Sequence, residues 1–174
     1  NLLHQRPALE QLNERVPDEA NAILIGILRK LPKKTADPVW RAEESGVSHL
    51  VMKSTSKEVW AAFAETCKRS HVSLRLELLE PLNYSYVGDW QLQQRVNALR
   101  RFLDDTTERV IKENDEMYEG PTAAFTFPRI TVQNFAAMQL GSLLKIKEKP
   151  DKQWTAKQWT DFRAKVRTAL PKTD

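Results

Sequence analysis

The chain has 174 residues, 41% of them hydrophobic and 29% charged, with a formal net charge of +4; this is an ordinary globular mixture, enough for one domain or one domain with extensions. It has no apolar run of about 18 residues to span a membrane, and its single cysteine, Cys67, excludes an internal disulfide and a cysteine-rich zinc site. The first seven residues lack the apolar stretch of a signal peptide, so a reducing, cytoplasmic setting is expected.

Residues 7–31 read as helix. Leu9, Leu12 and Val16 recur at helical spacing. Pro17, followed by Asp18 and Glu19, fits the first turn of a second helix. That helix carries Ala22, Ile23, Ile25, Ile27 and Leu28 and stops before Pro32. Residues 33–38 form a lysine-rich loop bounded by prolines. Residues 47–54 follow Gly46 and are rich in β-branched and apolar side chains, which predicts a short strand. Thr55 or Ser56 caps the next helix, where Val59, Phe63 and Cys67 repeat every four residues beside Trp60. Lys68, Arg69 and His71 close it with cations suited to a helix C-terminus. Ser73 is a further candidate N-cap. Residues 74–80 fit two patterns: Leu74, Leu76 and Leu78 alternate as in a strand, while Leu74, Leu78, Leu79 and Leu82 fit a helix, and Pro81 limits both.

Residues 83–88 are a loop. Asp89 then caps a long helix to about residue 117. Leu92, Val96, Leu99, Leu103, Thr106 and Val110 step by four and three, a heptad seam that suits a bundle helix or a helix pair between subunits. Gly120-Pro121 breaks the chain. Residues 125–132 are a second strand candidate, with Pro128 placing it at an edge or bulge. Residues 133–146 read as helix through Phe135, Met138, Leu140, Leu143 and Leu144, and residues 147–153 as a charged loop. Thr155 caps the last helix, which carries Trp159, Phe162, Val166, Ala169 and Leu170 and ends at Pro171.

The charge is unevenly placed. Residues 145–170 hold eight basic side chains against three acidic ones, residues 104–119 hold seven acids against Arg109 and Lys112, and Arg29, Lys30, Lys33 and Lys34 form a smaller basic cluster. Basic clusters attract phosphate backbones without reading sequence, or serve as solvated helix faces. Enzyme motifs are missing. The five glycines, Gly26, Gly46, Gly88, Gly120 and Gly141, are too scattered for a phosphate-cradling loop, and His4, His49 and His71 lack metal-ligand spacing. Cys67 reads as a packed thiol rather than a nucleophile. Asp104-Asp105 and Asp115-Glu116 read as solvated acids. No catalysis, cofactor or metal is expected.

Residues 47–82 place several of these features in one order: a short strand, a capped helix with Val59, Phe63 and Cys67 on one stripe, a turn carrying Val72-Ser73, and a segment with Leu78 and Leu82 inward. In this they resemble the ribbon-helix-helix DNA-binding family. The pattern is departed from at Pro81, where the second helix normally continues, at His71, where glycine commonly ends the first helix, and at Val51, an apolar residue in a reading position. The resemblance implies a homodimer whose paired strands enter the major groove of double-stranded DNA. Leu50 and Met52 then face inward, and His49, Val51 and Lys53 face the base edges, Lys53 as a donor to guanine. The start of the second helix, at Ser73 and Leu74, offers backbone N–H groups to a phosphate, with Lys57 and Lys68 adding backbone contacts. A second segment repeats the order of strand, helix and helix over 125–132, 133–146 and 155–170, with Arg129 and Thr131 outward. Its basic surface comprises Arg129, Lys152, Lys157, Arg163, Lys165 and Arg167.

The expectation is an α+β, mainly α protein in three parts. These are a helical extension over 1–46, the ribbon-helix-helix-like segment over 47–86, and a helical region over 87–174 with a short strand and basic tail. Its expected function is that of a homodimeric, sequence-specific DNA-binding transcriptional regulator. Two alternatives stand beside it. One is a helical adaptor that binds a protein partner through the heptad helix at 89–117. The other is a non-specific RNA- or single-strand-binding accessory domain that uses the basic tail, with Trp154 and Trp159 as stacking or core residues.

Overall fold

Pro17 begins a helix, as its fixed φ and missing N–H allow. Asp18 and Glu19 occupy that helix's first turn and Arg29 and Lys30 its last, each sign matching the helix dipole. The computed structural model describes residues 2–31, 38–84, 87–110, 127 and 129–172. The chain divides into two compact units, Asn1–Ala98 and Leu99–Asp174. The first contains α1 (Leu2–Arg15), α2 (Pro17–Lys30), α3 (Pro38–Lys53), α4 (Lys57–Arg69), α5 (Val72–Leu79), a 3-10 segment (Glu80–Asn83) and most of α6 (Leu92–Arg100). The second contains β1 (Glu108–Val110), β2 (Arg129–Thr131), α7 (Val132–Leu143) and α8 (Ala156–Ala169). The protein is therefore α+β and mainly α. No helix among the described residues is long and apolar enough to cross a membrane.

The strand expected at 47–54 is helical. Residues 47–53 are the last two turns of α3, and Ser54 follows them. α3 packs against α1, α2, α4, α5 and the 3-10 segment, so Val47, Ser48, His49, Leu50, Val51 and Met52 are all less than a tenth exposed. A helix covered on every side has no polar face and therefore no amphipathic period. A short apolar run of this kind reads equally as a buried strand. The one hydroxyl in the run is satisfied, since Ser48 Oγ donates to Leu78 O at 2.8 Å. With no strand at 47–54, the ribbon-helix-helix core does not form there, and the basis for pairing with a second copy is removed.

The helices that follow begin as capping chemistry directs. Ser56 caps α4 by accepting from Val59 N at 3.3 Å. Val59, Phe63 and Cys67 are fully buried along its stripe. α5 starts two residues earlier than expected: its N-cap is His71, whose Nδ1 accepts from Ser73 N, so Ser73 itself is inside the helix. The helical pattern wins over residues 74–79, and Pro81 sits in the tighter 3-10 segment.

The long helix expected over 89–117 is also corrected. Gly88 and Gln91 adopt left-handed φ values of 56° and 45° in a turn that delays the helix to Leu92, and α6 ends at Arg100. Asp104, Asp105, Thr106 and Thr107 favour local side-chain bonds over helix. Asp105 Oδ1 accepts from Thr107 N at 3.0 Å and turns the chain into β1. Val96, Leu99 and Leu103 of the heptad seam are buried, whereas Leu92 and Val110 are 37% and 52% exposed. Residues 111–117 lie outside the described residues, as does Gly120-Pro121.

In the second unit β1 pairs antiparallel with β2, Glu108 opposite Thr131, Arg109 opposite Ile130 and Val110 opposite Arg129. Arg109 and Ile130 point inward and Glu108, Val110 and Arg129 outward. The strand expected at 125–132 is thus realised over three residues. Val132 already belongs to α7, and residues 125, 126 and 128 lie outside the described residues. Thr131 caps α7, and Thr155 and Gln158 form a capping box on α8. Trp154 contacts Trp159 and Phe162, with ring centroids 5.3 and 5.4 Å apart, and Phe127 contacts Trp159 at 5.9 Å. Trp159 is a core residue, and half-buried Trp154 packs against it.

Candidate nucleic-acid interface

The six residues expected to read DNA do not share a surface. His49 and Lys53 stand one turn apart on α3, and both reach Glu10 of α1, His49 Nε2 at 3.5 Å and Lys53 Nζ at 3.3 Å. Trp90 completes the group, with the Lys53 ammonium 5.6 Å from its ring centre and His49 edge-on at 5.9 Å. Val51 and Leu74 are buried in the core. Lys57 is exposed in the first turn of α4, and Ser73 is half-buried with its N–H donated to His71. Glu10, His49, Lys53 and Trp90 therefore fasten α1 to α3 inside the first unit. The cleft beside them, lined by Leu9, Leu24 and Leu50, encloses about 10 Å³, space for roughly one water.

Cys67 is fully buried, and that burial pushes its thiol well above the usual range against the weaker opposing pull of Arg75. The native protein is expected to leave a disulfide reagent unconsumed until denaturant is added. Release of one equivalent of chromophore from the folded chain would show that the helix stripe is open.

The second set of basic residues lies in the second unit, where its environment is more telling. Arg129 pairs with Glu108 at 2.8 Å, Lys157 with Asp161 at 2.6 Å, and Arg167 with Asp104 at 2.7 Å and with the carbonyl of Leu103 at 2.9 Å. Lys165 pairs with Glu148. Arg163 donates to Asn134 and, at 3.0 Å, to Thr160. Burial lowers the pKa of Arg163, and the charge of Arg167 adds to this. The Glu108 hydrogen bond raises that of Arg129. These pairs are on the surface, where water and salt screen them and an incoming anion displaces them at little cost.

The connection between α7 and α8 differs. It carries Lys145, Lys147, Lys149 and Lys152, all exposed, and among the described residues no acid pairs with any of them. Glu148, in the middle, is neutralised by Lys165, and the Asp151 carboxylate folds onto Gln153 N at 2.8 Å. Lys145 sets the start of this loop. Its φ of 58° is left-handed, Ile146 N donates to Gly141 O at 2.8 Å, and Lys145 N donates to Ser142 O at 3.0 Å. This is the Schellman helix end, at the position that glycine usually fills. Sequence reasoning counted these lysines in the basic tail but selected only Lys152 as a contact; the missing signal was which neighbours are already paired.

No protein-family model, no curated protein and no solved structure matches the chain.

Proposed function

We propose that this chain binds nucleic acid through the α7–α8 loop and the adjoining basic residues of α8, gripping the phosphate backbone without reading base sequence. The carrying observation is the group of four exposed lysines, Lys145, Lys147, Lys149 and Lys152, without acid partners among the described residues. Such a group attracts a polyanion and releases counterions when it docks. Arg167 adds to it by exchanging its surface acid, Asp104, for phosphate, while Lys165 keeps Glu148 neutral within the loop. Trp159 lies in the core and half-buried Trp154 has its ring engaged edge-on with Trp159 and Phe162, so the grip is one of charge, and duplex and single strands differ chiefly through charge density. Lys145 in a left-handed conformation supports the reading, because glycine there would remove backbone strain but also remove a charge.

The test is fluorescence anisotropy on random duplex DNA over a salt series. The wild type is expected to bind at low salt and weaken steeply as salt rises. Lys147→Gln/Lys149→Gln/Lys152→Gln is expected to lower the log–log salt slope by about 2 to 3, since each phosphate contact contributes roughly 0.9. Lys145→Gly is expected to weaken binding while raising stability by about 1 kcal/mol. An unchanged slope in the triple variant would show that the loop is not the contact.

A further inference from the structure

We infer that the first unit carries a second, separate phosphate-binding surface, at the joined C-terminal ends of α2 and α4, so that one chain grips nucleic acid at two places. This rests on the nucleic-acid reading above but uses none of the same residues. The two helix ends are held together by two donors on one carbonyl: Leu28 O accepts from Thr66 Oγ1 at 3.1 Å and from the Arg69 guanidinium at 2.5 Å. The end of α4 is closed in the same way by Arg75, which donates to Cys67 O, Lys68 O and Ser70 O, each at 2.9 Å.

Cations at helix C-termini ordinarily do no more than answer the dipole, about half a negative charge per end. Here Arg69 and Arg75 already do so, lying directly on the terminal carbonyls. Arg29, Lys30 and Lys68 are surplus to that task. All three are exposed, and among the described residues none is paired with an acid. Exposed His71 borders them. The last two turns of α4 and the whole of α5 carry two acids, Glu65 and Glu77, against Lys68, Arg69 and Arg75, and Arg29 and Lys30 at the end of α2 raise the basic count to five. A net positive surface with surplus ammonium and guanidinium groups fits the phosphates of a nucleic-acid backbone. Two such surfaces on one chain convert the second contact into an intramolecular event, which raises the overall affinity without a new kind of contact.

The experiment compares three full-length variants on one long random duplex by anisotropy over a salt series. They are Arg29→Gln/Lys30→Gln/Lys68→Gln, the loop variant Lys147→Gln/Lys149→Gln/Lys152→Gln, and both together. Glutamine keeps helix propensity, and the three side chains in the first unit carry no hydrogen bond or ion pair among the described residues, so thermal melting is expected to be unchanged; Arg69→Gln, which loses its carbonyl contact, marks what a folding defect looks like. The first-unit variant is expected to lose about tenfold in affinity at low salt and about 2 to 3 in salt slope, and the combined variant to fall below detection. If the loop variant weakens binding while the first-unit variant matches wild type, this inference is overturned and the loop reading stands. If the first-unit variant alone weakens binding, the first-unit surface stands as the contact, and the loop assignment falls with the two-place grip. If the wild type does not bind, both fall.

Discussion

Val51→Lys is expected to unfold the first unit, with a stability loss of about 4 kcal/mol or more. Val51 has no exposed surface, on a helix packed against α1, α2, α4 and α5. A lysine there must either bring an unpaired ammonium into the core or push apart the helices that enclose it. Val51→Ile, which keeps an apolar β-branched side chain, is expected to change stability by about 1 kcal/mol or less. The pair also separates helix from ribbon. On an outward-facing ribbon a lysine at this position would be soluble, and it would strengthen DNA binding. Urea unfolding followed by circular dichroism gives the answer: a Val51→Lys midpoint near that of wild type would mean that residues 47–54 are not buried as α3.

That segment shows where sequence stops short of fold. α2, α4 and α8 were legible because each has a polar face, a marked start and a marked end. Pro17 opens one, Ser56 another, and the reciprocal Thr155–Gln158 box the third. Their signals are local, and the structure keeps them. α3 has none of these within residues 47–54. Its identity is settled by the elements that cover it, which lie up to tens of residues away, as the Ser48 bond to Leu78 illustrates. β1 failed for the opposite reason. The heptad spacing from Val96 to Leu103 reports a real buried face, but it continues by coincidence into Thr106 and Val110, past the end of α6 at Arg100 and a run of two aspartates and two threonines that turns the chain into β1.

The candidate interface was legible as charge and illegible as pairing. The excess of basic residues over 145–170 is a sum, and a sum survives folding. Which lysines remain available is set by partners distant in sequence: Arg167 finds Asp104, and Lys165 finds Glu148 on the adjoining loop. Of the six residues that stand out in the sequence, four lie on α8, one on β2 and only Lys152 in the loop; folding pairs Arg129, Lys157, Lys165 and Arg167 with acids, while the loop lysines between two helices keep their charge. The same holds in the first unit. Arg29 and Lys30 stood out as a pair, but Lys68 joins them only because Arg69 and Thr66 bring α4 to the end of α2.

The second large effect is expected where α7 crosses α8. A Cβ on Gly141 would lie 2.7 Å from Phe162 Cζ, well inside contact distance. The Phe162 ring is 1% exposed and is held by Trp154 and Trp159, with centroids 5.4 and 6.4 Å away. It cannot swing aside without disturbing both. Phe162→Ala is expected to lose about 3–5 kcal/mol through the cavity it leaves. Gly141→Ala sets two terms against each other: a helix-propensity gain of about 1 kcal/mol and an overpacking loss of about 1–3 kcal/mol. With the ring in place overpacking wins, and a net loss of about 1 kcal/mol is expected. In the Phe162→Ala background the obstacle is gone, so the same Gly141→Ala change is expected to stabilise by about 1 kcal/mol. The sign of one substitution thus reverses with the identity of a single residue on the neighbouring helix. A thermodynamic double-mutant cycle measures the coupling directly. Equal effects of Gly141→Ala in the two backgrounds would mean that the glycine does not set how closely these helices approach, and that the α7–α8 loop is positioned by something other than this contact.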